Sequence, residues 1–135
     1  RRFQTIFQAD RSANVPEYTA GGTLDITVYY DRLGIQSPLA FGYLEQLPEG
    51  WVFEGIVDDG GAQPDIVPAA GTTGLLEIAW ISAPSMPGYL TYRMSIPGEF
   101  RGLAFFTGYC VYRFGVEQSE SALVESVFPR AVPAP

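Results

Sequence analysis

The chain has 135 residues, of which 47% are hydrophobic and 14% aromatic, enough apolar surface for one domain with a packed core. Its formal charge is −7, lysine and histidine are absent, and all eight cations are arginines. An acidic chain repels phosphate backbones, so nucleic-acid binding is not expected. The missing residue types exclude Ser-His-Asp catalysis, imidazole metal sites and lysine Schiff-base chemistry.

The first segment, RRFQTIFQADRS, alternates apolar and polar side chains and carries three of the eight arginines. The alternation predicts the first strand of a sheet. The alternative is that residues 1–12 form an arm, which adds as a strand to a neighbouring copy and builds a head-to-tail filament. The side chains that would contact the neighbour are Phe3, Ile6 and Phe7. Those that would pair with its acidic residues are Arg1, Arg2 and Arg11.

Period-two alternation continues through most of the chain, with no clear helical period. The segments TLDITVYYD, PLAFGYLEQ, WVFEGIV, LLEIAWI and YLTYRMSIP each predict a strand, separated by turns rich in glycine and proline. Trp51 and Trp80 are expected on inward faces, where they anchor the two sheets. Gly55 is expected to mark a bulge.

The turn DDGGAQPD contains oxygen ligands that could serve Ca²⁺. The candidate metal ligands are Asp58, Asp59 and Asp65. They lack the every-second-residue spacing of an EF-hand loop, and Asp and Gly also favour turns for local reasons. Calcium is therefore a weak candidate, and no other cofactor is expected.

The segment LAFFTGYCVYRFG is apolar on both faces of a strand. One prediction is a central strand that the domain covers on both sides. The alternative is that a second subunit covers one side. The interface residues would then be Phe106, Tyr112 and Phe114. Cys110 in this strand is expected to be a buried thiol, with an intermolecular disulfide as the alternative.

With SALVESVF, the segments make eight or nine strands, which predicts an all-β antiparallel sandwich. The predicted organisation is an arm over residues 1–12, a sandwich over 13–128 and a proline-rich tail over 129–135. No stretch is apolar and long enough to insert into a membrane. Because the chain starts RRFQ without Met, a removed leader or an excised domain is expected.

The ordered string LPEGWVFEGI … GTTGLLEIAWI … PGYLTYRMSIP … GLAFFTGYCVYRF resembles bacterial secreted immunoglobulin-like modules. Such modules occur in surface proteins and beside cohesin or dockerin modules, and the resemblance covers roughly residues 20–115. It implies an immunoglobulin-like sandwich with an extracellular structural or adhesive role. It carries over no catalytic residues.

The leading hypothesis is an extracellular structural or adhesive module that assembles with itself or with other surface proteins. The alternative is a carbohydrate-binding module that stacks sugars on Tyr29, Tyr89 and Tyr112. An enzyme is not expected, because the only acids that would serve a carboxylate pair are candidates by identity alone. These acids are Glu45, Glu49 and Glu54.

Overall fold

The computed structural model describes the backbone of residues 3–4, 7–34, 38–114, 118–121 and 124–128, and the side chains of 7–34 and 38–114. The described residues form ten strands and contain no helix long and apolar enough to cross a membrane. The strands are β1 (Phe3–Gln4), β2 (Phe7–Ala13), β3 (Thr23–Arg32), β4 (Ala40–Gln46), β5 (Val52–Asp58), β6 (Leu75–Trp80), β7 (Gly88–Ser95), β8 (Ala104–Arg113), β9 (Gln118–Ser121) and β10 (Val124–Phe128).

The strands pack as two sheets, which confirms the all-β antiparallel sandwich. The first sheet has the order β2-β3-β7-β5, and the second has the order β1-β9-β8-β4-β6 with β10 paired to β8. Every pairing is antiparallel except that of β1 with β9. Strands β2 to β8 have six residues or more and form the framework, four in the first sheet and three in the second. These seven framework strands are slightly fewer than the eight or nine predicted. The other three strands, β1, β9 and β10, lie in the terminal segments and are short.

The core lies between the sheets and is filled by the inward phase of each alternating segment. Trp51 and Trp80 are buried as predicted. The Trp51 ring makes edge-to-face contacts with Tyr18, Phe100 and Phe106 at centroid distances of 5.3–5.5 Å. Aromatic pairs of this geometry contribute beyond the area they bury, so Trp51 joins both sheets and the loop before β8. The predicted bulge in β5 is also present, since the β5–β7 register shifts between Phe53 and Gly55.

The two faces of β8 have different environments. Its inward side chains, Phe106, Cys110 and Tyr112, are buried within the chain. The outward face exposes Phe105 and the preceding Leu103, which are 58% and 53% exposed. The structure therefore corrects the assignment of Phe106 and Tyr112 to an intersubunit interface, because the parity of the strand directs them into the chain's own core. Burial of Cys110 likewise disfavours an intermolecular disulfide.

The N-terminal segment is part of the sandwich in this structure. Strand β1 pairs with β9 in one sheet, and β2 pairs with β3 at the edge of the other. Phe7 is buried against Phe41, Tyr112 and Phe114 of its own chain, and its contact with a neighbouring copy stays a prediction. Phe114 is partly buried in the same group.

The predicted boundary between residues 12 and 13 falls inside β2. The backbone of Phe3 lies in β1, but its side chain is outside the described residues. Also outside them are Arg1, Arg2, Ile6 and the predicted tail, 129–135. Their proposed roles stay predictions.

Candidate functional site

A buried polar cluster, which we call the Glu45 cluster, lies between the sheets and consists of Arg11, Tyr43, Glu45 and Tyr92. Arg11 Nε donates to Glu45 Oε2 at 3.0 Å, and Arg11 Nη2 donates to both Glu45 Oε1 and the Tyr43 hydroxyl. The hydroxyls of Tyr92 and Tyr43 donate to the same carboxylate at 2.8 and 3.2 Å. The Arg11 and Glu45 side chains are both wholly buried. In this structure Arg11 thus pairs with an acid of its own chain, and its pairing with a neighbouring copy stays a prediction.

Local sequence explains how these side chains reach the interior. Glu45 follows Phe41 and Tyr43 in the inward phase of β4, and Arg11 follows Phe7 and Ala9 in the inward phase of β2. Gly108 lies opposite Glu45 on β8, and a side chain there would collide with the Tyr43 hydroxyl and the Glu45 carboxylate. Sequence analysis missed this cluster, although an acid in the apolar phase of a strand is a signal that could have revealed it.

Burial is the largest influence on the pKa values of Glu45, Tyr43 and Tyr92 in this cluster. It raises the pKa of Glu45, while the hydrogen bonds from Arg11 and the two tyrosines oppose that rise. Burial also raises the pKa of Tyr43 and of Tyr92 well above the usual range for a tyrosine. A carboxylate so enclosed by donors is a structural anchor for β2, and Glu45 has no exposed surface.

The other acids proposed for a carboxylate pair do not converge with Glu45. Glu49 lies exposed in the turn before β5. Glu54 lies on the outer face of the first sheet and accepts a hydrogen bond from Ser95 at 2.9 Å. The three acids therefore occupy an interior cluster, a turn and an outer face, and they form no pair that could flank one bond.

A partly exposed group on the outer face of the first sheet and in the turn after β5, which we call the tyrosine–aspartate patch, consists of Asp10, Tyr29, Asp58, Asp59 and Tyr89. Tyr29 of β3 lies between Asp10 of β2 and Tyr89 of β7 in the strand register. The two tyrosine rings lie 6.1 Å apart, inclined at 43°, and Tyr29 is 51% exposed. The Tyr89 hydroxyl donates to Asp58 Oδ2 at 3.1 Å.

Negative charge is concentrated at this patch. The hydrogen bond to Asp58 and its charge raise the pKa of Tyr89. Burial, with the charge of Asp59, raises the pKa of the neighbouring Tyr30 to about 12. Among the described residues, none of the carboxylates of Asp10, Asp58 and Asp59 pairs with an arginine. The patch is therefore an acidic surface with aromatic faces.

A cleft of about 460 Å³ adjoins the patch and shares Asp58 and Asp59 with it. Its wall also includes Val57 and Gln63. The turn after β5 forms part of the cleft wall. Gly60 in this turn lies against Tyr89, and a Cβ on Gly60 would collide with the Tyr89 backbone oxygen. Asp58 and Asp59 thus connect the patch to the cleft.

The structure does not assemble the proposed calcium ligands into a site. Asp58 and Asp59 each accept a hydrogen bond from a glycine amide two residues later, at 2.9 and 2.8 Å. Asp65 instead accepts the amide of Ile81 at 2.7 Å. In the part of the chain that the structure describes, no three acids, cysteines or histidines are grouped to hold a metal ion. The acids of this turn shape the backbone, as Asp-Gly turns do.

Of the three tyrosines proposed to stack sugars, the structure brings together two. Tyr29 and Tyr89 form the exposed pair of the patch, whereas Tyr112 is buried in the core on the other sheet. Asp10 and Gln63 were not predicted at this surface, because each comes from a distant part of the chain and only strand pairing and loop folding place it there.

The fold and these surfaces define the chain as an immunoglobulin-like β-sandwich, as the sequence resemblance implied. No protein-family model and no curated protein matches the chain. A cohesin module of a Clostridium perfringens family 33 glycoside hydrolase has the same fold, with a TM-score of 0.66 and 12% identity over 93% of this chain and 97% of that one. The major pilin SpaD of Corynebacterium diphtheriae aligns with a TM-score of 0.61 and 10% identity, over 89% of this chain but 34% of the pilin.

A third similar structure belongs to an enzyme. AvmM, which catalyses macrocyclization in alchivemycin A biosynthesis, aligns with a TM-score of 0.58 and 15% identity over 99% of this chain and 93% of its own. At these identities the likeness establishes the fold alone. It places the chain among sandwich domains that several bacterial proteins use.

Proposed function

We propose that the chain is an extracellular or cell-surface structural and adhesive module, which associates by exchanging its N-terminal strand β2 between copies. The observation that carries this proposal is the position of β2. It is an edge strand, bonded to β3 alone in the described part of the sheet, yet it supplies buried side chains to the core. Pilin and cohesin domains with this fold support the surface role.

The side chains of β2 give exchange its specificity. Phe7 fills an aromatic pocket of Phe41, Tyr112 and Phe114, and Arg11 neutralises Glu45. A β2 from another copy would make the same contacts, because strand addition uses backbone hydrogen bonds for affinity and alternate side chains for recognition. Domain swapping of this kind needs no new interface, and a head-to-tail series of swaps extends into a filament.

A cross-strand disulfide tests this proposal in the full chain. Gln8 and Asp31 are register partners on β2 and β3, and both point outward. The variant Gln8→Cys/Asp31→Cys, oxidised while monomeric, should hold β2 in its own sandwich. We expect concentrated wild-type protein to form oligomers that sedimentation velocity resolves, the oxidised variant to stay monomeric, and reduction to restore assembly.

A matched control places the disulfide where it should not affect exchange. Thr27 of β3 and Thr91 of β7 have hydroxyl oxygens 2.8 Å apart, so Thr27→Cys/Thr91→Cys joins two strands that both remain in the sandwich. Cys110 is replaced by serine in both variants to leave one thiol pair. If the oxidised β2–β3 variant assembles like the control, strand exchange is wrong.

A further inference from the structure

The tyrosine–aspartate patch has features that the proposed strand exchange does not use. The Tyr29 ring is exposed and the Tyr89 ring beside it is partly exposed, and the carboxylates of the patch have no cationic partner among the described residues. A carboxylate offers about four acceptor positions. Asp58 uses two, for the Gly60 amide and the Tyr89 hydroxyl, and is therefore able to accept further hydrogen bonds.

The charge and shape of the patch select a class of ligand. The two rings are inclined at 43° to each other and so do not form the flat platform on which a sugar ring stacks. A cation placed against these rings is attracted by the aromatic faces and by the neighbouring carboxylates. The guanidinium group suits the site, since it is planar, stacks on aromatic rings and pairs with a carboxylate through two hydrogen bonds.

The same sheet face already pairs one arginine with a carboxylate through two hydrogen bonds. Arg93 of β7 binds Asp25 of β3 through Nε and Nη2, at 2.7 and 3.0 Å, and remains 48% exposed. Asp25 and Tyr29 lie on the same face of β3. The spacing of β3 and β7 on this face therefore allows a guanidinium of one strand to pair with a carboxylate of the next.

We propose that the tyrosine–aspartate patch binds an arginine side chain exposed on a partner protein, with the guanidinium packed against the Tyr29 and Tyr89 rings and its N–H groups directed to Asp58. The adjoining cleft, with Asp59 and Gln63, accommodates the residues that flank the arginine. This inference goes beyond strand exchange, because it gives the adhesive module a partner of defined chemistry.

The binding test uses the full chain and two short peptides. The probe is acetyl-Gly-Arg-Gly-Arg-Gly-amide, and its control replaces both arginines by citrulline, which has nearly the same shape without the charge. Amide chemical shifts of the protein are followed by NMR during each titration. We expect the arginine peptide to shift resonances of Tyr29, Asp58 and Tyr89, the citrulline peptide not to do so, and added salt to weaken binding.

Variants then separate the aromatic and the charged contributions. Tyr29→Ala should weaken the arginine peptide at least about threefold, whereas Tyr29→Phe should retain binding because the ring remains. Asp58→Asn keeps an oxygen for the Gly60 amide, and it should weaken binding more than Glu54→Gln. The latter is the matched control, since it removes the same charge from the same sheet outside the patch.

Two results would overturn the inference: citrulline peptide binding as tightly as arginine peptide, or Tyr29→Ala binding like wild type. Binding of oligosaccharides that depends on Tyr29, without binding of the arginine peptide, would replace it by the carbohydrate alternative. Tyr29→Ala should leave assembly unchanged, because its side chain lies outside the core. Failure of the arginine site and failure of strand exchange are therefore distinguishable.

Discussion

Replacing Arg11 by methionine should destabilise the protein far more than replacing an exposed arginine. Arg11→Met keeps an unbranched side chain in β2 but leaves the buried Glu45 carboxylate with the two tyrosine hydroxyls alone. Removing one partner of a buried ion pair typically costs about 3–5 kcal/mol of unfolding free energy. The matched change Arg93→Met breaks an exposed pair with Asp25, for which the expected cost is much smaller because solvent screens the pair.

Urea unfolding followed by tryptophan fluorescence at pH 7 measures both costs, because Trp51 and Trp80 are buried. The double variant Arg11→Met/Glu45→Gln should recover at least about 1 kcal/mol relative to Arg11→Met, since the amide oxygen still accepts the tyrosine hydroxyls without a buried charge. A cost for Arg11→Met no larger than that for Arg93→Met would refute the reasoning.

For Arg11→Met, the direction in which stability changes with pH follows from the pKa of Glu45. Burial raises the pKa of Glu45, and loss of Arg11 removes the main opposing interaction. The penalty for ionising Glu45 is present in full above its folded-state pKa and disappears below its unfolded-state pKa. The stability difference between Arg11→Met and wild type should therefore shrink as the pH falls from 7 towards 4.

Three further predictions rest on other buried groups. Gly108→Ala should lower the free energy of unfolding by about 1–3 kcal/mol, because the added methyl group overpacks the Glu45 cluster. The control Gly98→Ala, whose Cβ would meet open space, should change it by less than about 1 kcal/mol in the same urea assay. Stability should fall between pH 10 and about 12 as the unfolded state releases its tyrosine protons first, and Tyr30→Phe should remove only the Tyr30 share, less than about 3 kcal/mol, while Tyr43 and Tyr92 still contribute; ionisation is followed by absorbance at 295 nm. Cys110, which has no exposed surface, should react with Ellman's reagent only as fast as the protein unfolds; rapid reaction of the folded chain would contradict its burial.

The fold could be predicted because alternation is a local property. In β3, for example, Leu24, Ile26, Val28 and Tyr30 are all buried, as a period of two requires. The faces of β8 could not be assigned in this way, because both are apolar and only the parity of pairing with β4 decides which enters the core. Assigning Phe106 and Tyr112 to an interface failed for this reason.

The candidate site depended still more on tertiary structure. Tyr29 and Tyr89 were recognised as exposed aromatics, but their adjacency follows from β3–β7 pairing, and Asp10 joins them only through β2. Arg11 and Glu45 were each noted for other roles. Nothing in their separate segments shows that they face each other across the sandwich.

By itself, the sequence determined that this chain is an acidic, all-β sandwich without the residues for histidine or lysine catalysis. Composition and a period of two suffice for that, because each strand must turn its apolar side chains to one core. Only the tertiary structure decided which polar residues share a surface and which are buried together. The physical reason is that strand register and sheet packing join residues distant in the chain: sheet packing places Arg11 beside Glu45 in the interior, and register places Tyr29 beside Tyr89 on the surface.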